Sequence, residues 1–186
     1  MAFFFGIVLG FAVGWARGGS VLRLADVRWH GLIFLLVGPV LQQVLPWLWP
    51  GIAHHPPLEI GRAVLLYGGG LGFLWANRRL PGAWWVFAGT CGNALATFAA
   101  GGRMPVALWA LYRFPAVALA RMRAGGFGAH APMLHPSGLT WLGDIIPSPP
   151  PLPPEVMSVG DIAIGFGLAV FLWSGMRETA ATPQVS

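Results

Sequence analysis

Five long apolar blocks fill most of this 186-residue chain, at about residues 2–16, 29–49, 60–76, 83–100 and 156–176. Short arginine-bearing joints alternate with longer, proline-rich connectors between them. Such a pattern has too much contiguous apolar surface for a core wrapped in solvated faces. Lipid is the natural surrounding medium, and in lipid each segment must satisfy its own backbone by forming a helix. Composition agrees, since 56% of residues are hydrophobic and 9% charged, against about 25% charged in a water-soluble domain. The expected fold class is therefore all-α: one integral membrane domain over residues 1–186, a polytopic transmembrane helical bundle of about five spans. Residues 101–155 are expected to form a long proline-rich extracytoplasmic loop.

Arginine placement orients this expected bundle. Arg17, Arg23 and Arg28 lie in one joint, Arg78 and Arg79 in another, and Arg177 follows the last block. Five crossings put all three groups on one side, and the positive-inside rule makes that side the cytoplasm. The expectation is a bacterial inner-membrane protein with its N-terminus outside and its C-terminus cytoplasmic. The first block lacks the positive leader of a secretory signal and reads as a retained helix. It falls short of a hydrocarbon core roughly 30 Å thick, so continuation through Gly18 to Leu22, or local thinning, is needed to close the gap. Gly6, Gly10 and Gly14 share one helix face and predict close packing against another helix. Pro39 predicts a kink in the second block. Gly68, Gly69, Gly70 and Gly72 favour tight packing or local unwinding of the third, which is the feature behind a transporter reading. Trp47 and Trp49 are placed at the outer boundary of an aromatic belt. The stretch 104–120, interrupted by Pro105, Arg113 and Pro115, reads as an interfacial or re-entrant helix. The six prolines from Pro147 to Pro154 predict an extended, stiff spacer.

Charge and motif content exclude several classes. The net charge is +5 and the pI about 11.1, but the arginines are scattered over joints and form no basic helix. They read as topology signals and phosphate-facing anchors, and no nucleic acid partner is expected. Cys91 is the single cysteine, which excludes an intrachain disulfide and a thiolate metal cage. His54, His55, His130 and His135, with Glu59 and Asp144, match no established ligand spacing, so no metal is expected. No phosphate loop, dinucleotide fingerprint or serine nucleophile elbow is present, and no cofactor is expected.

Three polar boxes remain. GGRMPV, residues 101–106, sets the Arg103 guanidinium at the end of the fourth block, where it suits a lipid phosphate or a carboxylate. Asn93 adds an amide to an otherwise small and apolar stretch. LGDIIP carries Asp144, and MSVGD opens the last block with Ser158 and Asp161, suited to a helix cap.

These boxes resemble an uncharacterised bacterial membrane-protein family, domain of unknown function 5317. The resemblance rests on GWARGG with LADVRWHGL, on GNALATFAAGGRMPV, and on LGDIIPSPPPLPPEVMSVGDIAIGFG. Family members usually carry an asparagine where Ala100 stands, and a more polar loop after it. The resemblance implies a multispan integral membrane protein and supplies no reaction. MSVGDIAIGFG is also locally similar to the last catalytic box of signal peptidase II, a membrane aspartyl protease. That likeness implies Asp161 as one catalytic carboxylate, with Asp144 as its partner.

The leading functional expectation is a binding or assembly protein. Its outer loop folds onto the bundle as a polar surface for a lipid headgroup or a membrane-protein partner. Arg103, Asn93 and Ser158 are its candidate ligand-binding residues. The competing expectation is an aspartyl hydrolase with Asp144 and Asp161 as a catalytic dyad, one carboxyl neutral as acid and the other ionised as base.

Overall fold

The computed structural model describes residues 1–48, 56–126 and 128–177. Its helices are α1 (Ala2–Ala16), α2 (Leu32–Leu48), α3 (Pro56–Ala76), α4 (Ala83–Ala99), α5 (Ala116–Arg123) and α6 (Val159–Gly175). The apolar blocks do form helices, but the predicted transmembrane bundle is not what they build. Among the described residues, no helix is long and apolar enough to cross a membrane. Helix α1 has 15 residues, and α2, α4 and α6 have 17 each, which is about 22–26 Å of helix. That is short of a core roughly 30 Å thick. The expected continuation past α1 fails because the chain turns at Gly18, where φ is +74°, and then forms a 3-10 turn over Val21–Asp26. Helix α3 is longer, at 21 residues, but it begins Pro56–Pro57 and carries Glu59 and Arg62 in its first half. The five-span topology is therefore corrected to a bundle of shorter helices.

The order of packing is α1, α6, α4, α3, α2, so the last helix sits between the first and the fourth. Small residues bring these backbones together. Gly6, Gly10 and Gly14 are buried against α6, and a Cβ on Gly6 would lie 2.0 Å from the carbonyl oxygen of Gly165. Close backbone approach is what glycine permits there. Of the two expectations for the glycines of α3, tight packing or unwinding, the unwinding is absent and the packing is made at Gly69. The helix runs unbroken through Gly68–Gly72, where Gly69 approaches the Phe34 carbonyl of α2, and among the described residues nothing lies against Gly68, Gly70 and Gly72. Much apolar surface stays uncovered along α1 and α2, including Phe3, Phe4, Phe5, Leu9, Ile33 and Leu36.

Residues 101–158 are not a loose loop, and they make the fold other than all-α. Strand β1 (Met104–Ala107) pairs in parallel with β2 (His130–Met133), and β3 (Ile146–Pro147) pairs antiparallel with β4 (Val156–Met157). The expected interfacial or re-entrant helix over 104–120 is thus a buried strand, a 3-10 turn over Leu108–Leu111 and the start of α5. Val106, Leu111 and Met122 form its small apolar core.

The proline tract is also corrected, from a stiff spacer to a folded hairpin. Ser148 N donates to the Glu155 carbonyl at 2.8 Å. The Ser148 hydroxyl donates to Pro153 O at 2.6 Å and accepts from Glu155 N at 3.0 Å. Arg113 closes the hairpin from outside, donating to Ser148 O and Leu152 O, each at 2.7 Å. Prolines cannot donate backbone hydrogen bonds, so one buried hydroxyl and one guanidinium tie the tract together instead. Ser148→Ala would orphan both hydroxyl partners, and it is expected to lower stability by about 2 kcal/mol. Hydrogen exchange should rise locally over residues 146–157, whereas unchanged exchange there would contradict this role.

Candidate functional site: an acid-lined cleft

The folded segment closes over the bundle and leaves a cleft of about 300 Å³ between them. One wall comes from α3, α4 and α6 through Glu59, Arg62, Tyr67, Asn93, Thr97 and Asp161. The other comes from Gly102, Met104, Ala129, His130, Asp144 and Glu155. Gly102 makes the join possible. Its φ is +99°, its N–H donates to Thr97 O at 2.9 Å, and a Cβ there would strike the Glu59–Ile60 backbone at 2.6 Å. Only glycine turns α4 directly into β1 against α3.

Asn93, Ser158 and Asp161 form one closed network. Ser158 caps α6: its hydroxyl accepts from Asp161 N at 2.9 Å, and its own N–H donates to Asp161 Oδ2 at 3.1 Å. This reciprocal arrangement satisfies two otherwise orphaned N–H groups. Asn93 joins from α4, donating through Nδ2 to Asp161 Oδ1 at 2.8 Å and accepting at Oδ1 from the Ser158 hydroxyl at 2.7 Å. Ser158 is completely buried and Asn93 nearly so. Gly160 lets the two helices come this close, since a Cβ on it would lie 2.0 Å from Asn93 Oδ1.

Asp144 enters the cleft from the opposite wall. Its backbone extends the small parallel sheet: its N–H donates to Pro105 O, and its carbonyl accepts from Ala107 N, both at 2.9 Å. Its side chain is buried, with His130 Nε2 3.7 Å from Oδ2. Burial, followed by the nearby Asp161 and Glu155 carboxylates, raises its pKa from an ordinary 3.8 to about 8. Neighbouring groups respond as well. The Tyr67 phenol is pushed up, chiefly by burial; its hydrogen bond with Thr97 Oγ1 at 3.0 Å opposes that shift, and the two aspartates add to it. Glu59 and Arg62 pair at 3.6 Å, and Glu155 pairs with the Met1 ammonium. Arg62 Nε is buried and has no hydrogen-bond partner among the described residues.

The sequence of residues 25–173 matches the profile of a "Family of unknown function (DUF5317)". The chain belongs to the DUF5317 family. The matched range holds both walls of the cleft apart from Phe3. No curated protein and no solved structure matches this DUF5317 chain. The local likeness of residues 157–167 to signal peptidase II is therefore unsupported by these comparisons.

Of the residues singled out from the DUF5317 sequence, Asn93, Asp144, Ser158 and Asp161 are brought together here. Arg103 is not. Its guanidinium donates to the carbonyls of Gly125 at 2.9 Å, Gly128 at 3.3 Å and His130 at 2.6 Å, clamping the approach to β2. His54, His55, Trp49 and Pro50 lie outside the described residues. Among the described residues, no group of three or more His, Cys, Asp or Glu could hold a metal ion. Sequence reasoning missed Arg62, Tyr67 and Glu155, whereas Thr97, a polar group of the fourth block expected to bond between helices, does so with Tyr67. Glu59 and Arg62 carried a legible signal, as charges three residues apart at the edge of an apolar block. Tyr67 had none beyond being a polar group on an apolar helix.

Proposed function

We propose that this is a binding protein whose cleft holds a small polar molecule or the polar headgroup of a lipid. The observation that carries the reading is Asp144, a buried carboxyl group facing a cavity across from a prebuilt hydrogen-bond network. Ligand sites combine concave shape with a few convergent polar groups of perturbed pKa. The cleft also has an apolar neighbour: Phe3 lines it and belongs to the exposed run Phe3–Phe5 of α1. A polar cavity beside uncovered apolar surface suits an amphiphilic ligand.

The test is hydrogen exchange of the full chain against a panel of small amines, carboxylates, phosphates and sugars, together with lipid headgroup analogues. At least one compound should protect both walls, residues 102–107 and 128–133 on one side and 155–161 on the other. Ala129→Leu, which narrows the cleft, should abolish that protection. Protection confined to other regions, or insensitive to Ala129→Leu, would contradict the reading.

One observation favours a second reading, the aspartyl hydrolase: two carboxyl groups share a cleft, and one of them, Asp144, is held protonated near neutral pH. Against it, both oxygens of Asp161 are already engaged as a helix cap and an Asn93 partner. Turnover of a peptide substrate that disappears in Asp144→Asn would favour the hydrolase.

A further inference from the structure

The charged groups of the cleft narrow the chemistry of its ligand. Carboxyl groups face it from several elements: Glu59 on α3, Asp144 beside β1, Glu155 ahead of β4 and Asp161 on α6. The cationic and titratable groups facing them are Arg62 and Tyr67 on α3 and His130 on β2. Three of the four carboxyl groups have their partners within the fold. Glu59 has Arg62, Glu155 has the Met1 ammonium, and Asp161 has the Asn93 amide and the Ser158 N–H.

Asp144 differs. Its side chain is only 9% exposed, and its neighbour in the fold is an imidazole, His130 Nε2 at 3.7 Å from Oδ2, which forms an ion pair only when protonated, whereas Glu59 faces a permanently charged guanidinium. Among the described residues, no hydrogen bond reaches its carboxyl group. A buried carboxyl that opens on a cavity without a donor is completed by a donor from outside the fold. A second observation gives that donor its chemistry. Four carboxyl groups line the cleft against one guanidinium, Arg62, and one imidazole, His130, so its charge favours a cationic donor, and a cavity of about 300 Å³ suits a compact ammonium group.

Resting on the binding reading above, we propose that the cleft takes a ligand bearing a primary ammonium group, which pairs with the Asp144 carboxylate. The exchange is balanced by one proton: neutral Asp144 gives its proton to solvent, and the carboxylate left behind pairs with the incoming ammonium. Since Asp144 holds its proton up to about pH 8, that release opposes binding at lower pH. Affinity should therefore rise about tenfold per pH unit up to about pH 8 and then level off, until the amine itself deprotonates near pH 10.

The experiment is calorimetric titration of the full chain with ethanolamine, using ethanol as the neutral control, at about pH 6, 7 and 8 in buffers of different ionisation enthalpy. Ethanolamine should bind with that pH slope and with release of about one proton at about pH 6. Ethanol should not bind. Asp144→Asn should weaken binding at least tenfold at about pH 8 and remove both the slope and the proton release. A parallel arm compares flotation with phosphatidylethanolamine and phosphatidylglycerol vesicles. Preference for phosphatidylethanolamine that is lost in Asp144→Asn identifies a lipid source; binding of free ethanolamine alone identifies a soluble amine, and either result supports the proposal. A cleft that fills with a phosphate, carboxylate or sugar, sensitive to Ala129→Leu, while refusing both amine probes, would overturn the ammonium assignment and leave the binding reading standing. Amine binding unaffected by Asp144→Asn would overturn it too. If no panel compound gives Ala129→Leu-sensitive protection, the binding reading itself fails.

Discussion

Gly160→Ala should destabilise the protein by about 3 kcal/mol or more, with the damage centred on the seam between α4 and α6. The added methyl would lie 2.0 Å from Asn93 Oδ1 and 2.6 Å from the backbone oxygen of Gly89. Neither atom has room to give way. Asn93 is fixed by two hydrogen bonds, and the Gly89 oxygen belongs to a helix packed against α6. Separating the helices would break the bond from Ser158 to Asn93 and the bond from Asn93 to Asp161, leaving buried polar atoms unpaired at about 1–3 kcal/mol each. Overpacking and an opened polar network therefore act in the same direction. Gly92→Ala is the control, on the facing helix α4. Among the described residues a Cβ there meets nothing within 4 Å, so that variant should be neutral or more stable by about 0.5–1 kcal/mol. Chemical denaturation of the two variants measures the contrast, and equal effects would contradict the packing account.

Asp144→Asn should stabilise the protein, and increasingly so as pH rises. The folded state holds the Asp144 proton up to about pH 8, while the unfolded chain releases it near its ordinary 3.8. A raised acid pKa makes the folded state bind more protons than the unfolded state between those values, so stability falls as pH rises through that window. At about 1.4 kcal/mol per pH unit, the cost approaches about 5 kcal/mol near pH 8. Asparagine carries no proton to lose. Allowing for the hydrogen bonds its amide will lack in the cleft wall, a gain on the order of 3 kcal/mol is expected near pH 8, fading to nothing near pH 4. That corresponds to a Tm rise of about 6–12 °C for a chain of this size. Melting curves from about pH 4 to pH 8 give the check; a variant less stable than the parent near pH 8 would contradict it. The direction also bears on function, because a residue kept at such a cost to folding is an ordinary mark of a working site.

Helix positions were the most legible part of this chain, and helix surroundings the least. Four apolar blocks give helices within three residues of the predicted bounds, and α3 begins four residues earlier than expected. Their lengths decided against spans, because Gly18 and Gly31, both at positive φ, end or delay helices that apolar composition alone would extend. The polar segment read poorly for a different reason. Its order comes from contacts distant in sequence: the parallel pairing of Met104 with His130, the carbonyls gathered by Arg103 and Arg113, and the buried Ser148 hydroxyl. Local composition carries none of that information. Prolines with no partner in view imply a stiff spacer, and only Ser148 and Arg113 together convert the tract into a hairpin. Within the site, Ser158 and Asp161 were legible as a capping pair because the bonding is local. The union of Asn93 with that cap was not, since it depends on Gly160 admitting α4.

Titration of Asp144 itself tests most directly whether the folded segment sets it in one cleft with Asp161. Aspartate carboxyl carbons, labelled with ¹³C and assigned through Asp144→Asn, report protonation by chemical shift. Asp144 should titrate near pH 8 in the parent chain, and at lower pH in Asp161→Asn, where a neighbouring negative charge is gone. A midpoint near the ordinary 3.8, unchanged by Asp161→Asn, would mean that the two residues do not share this cleft.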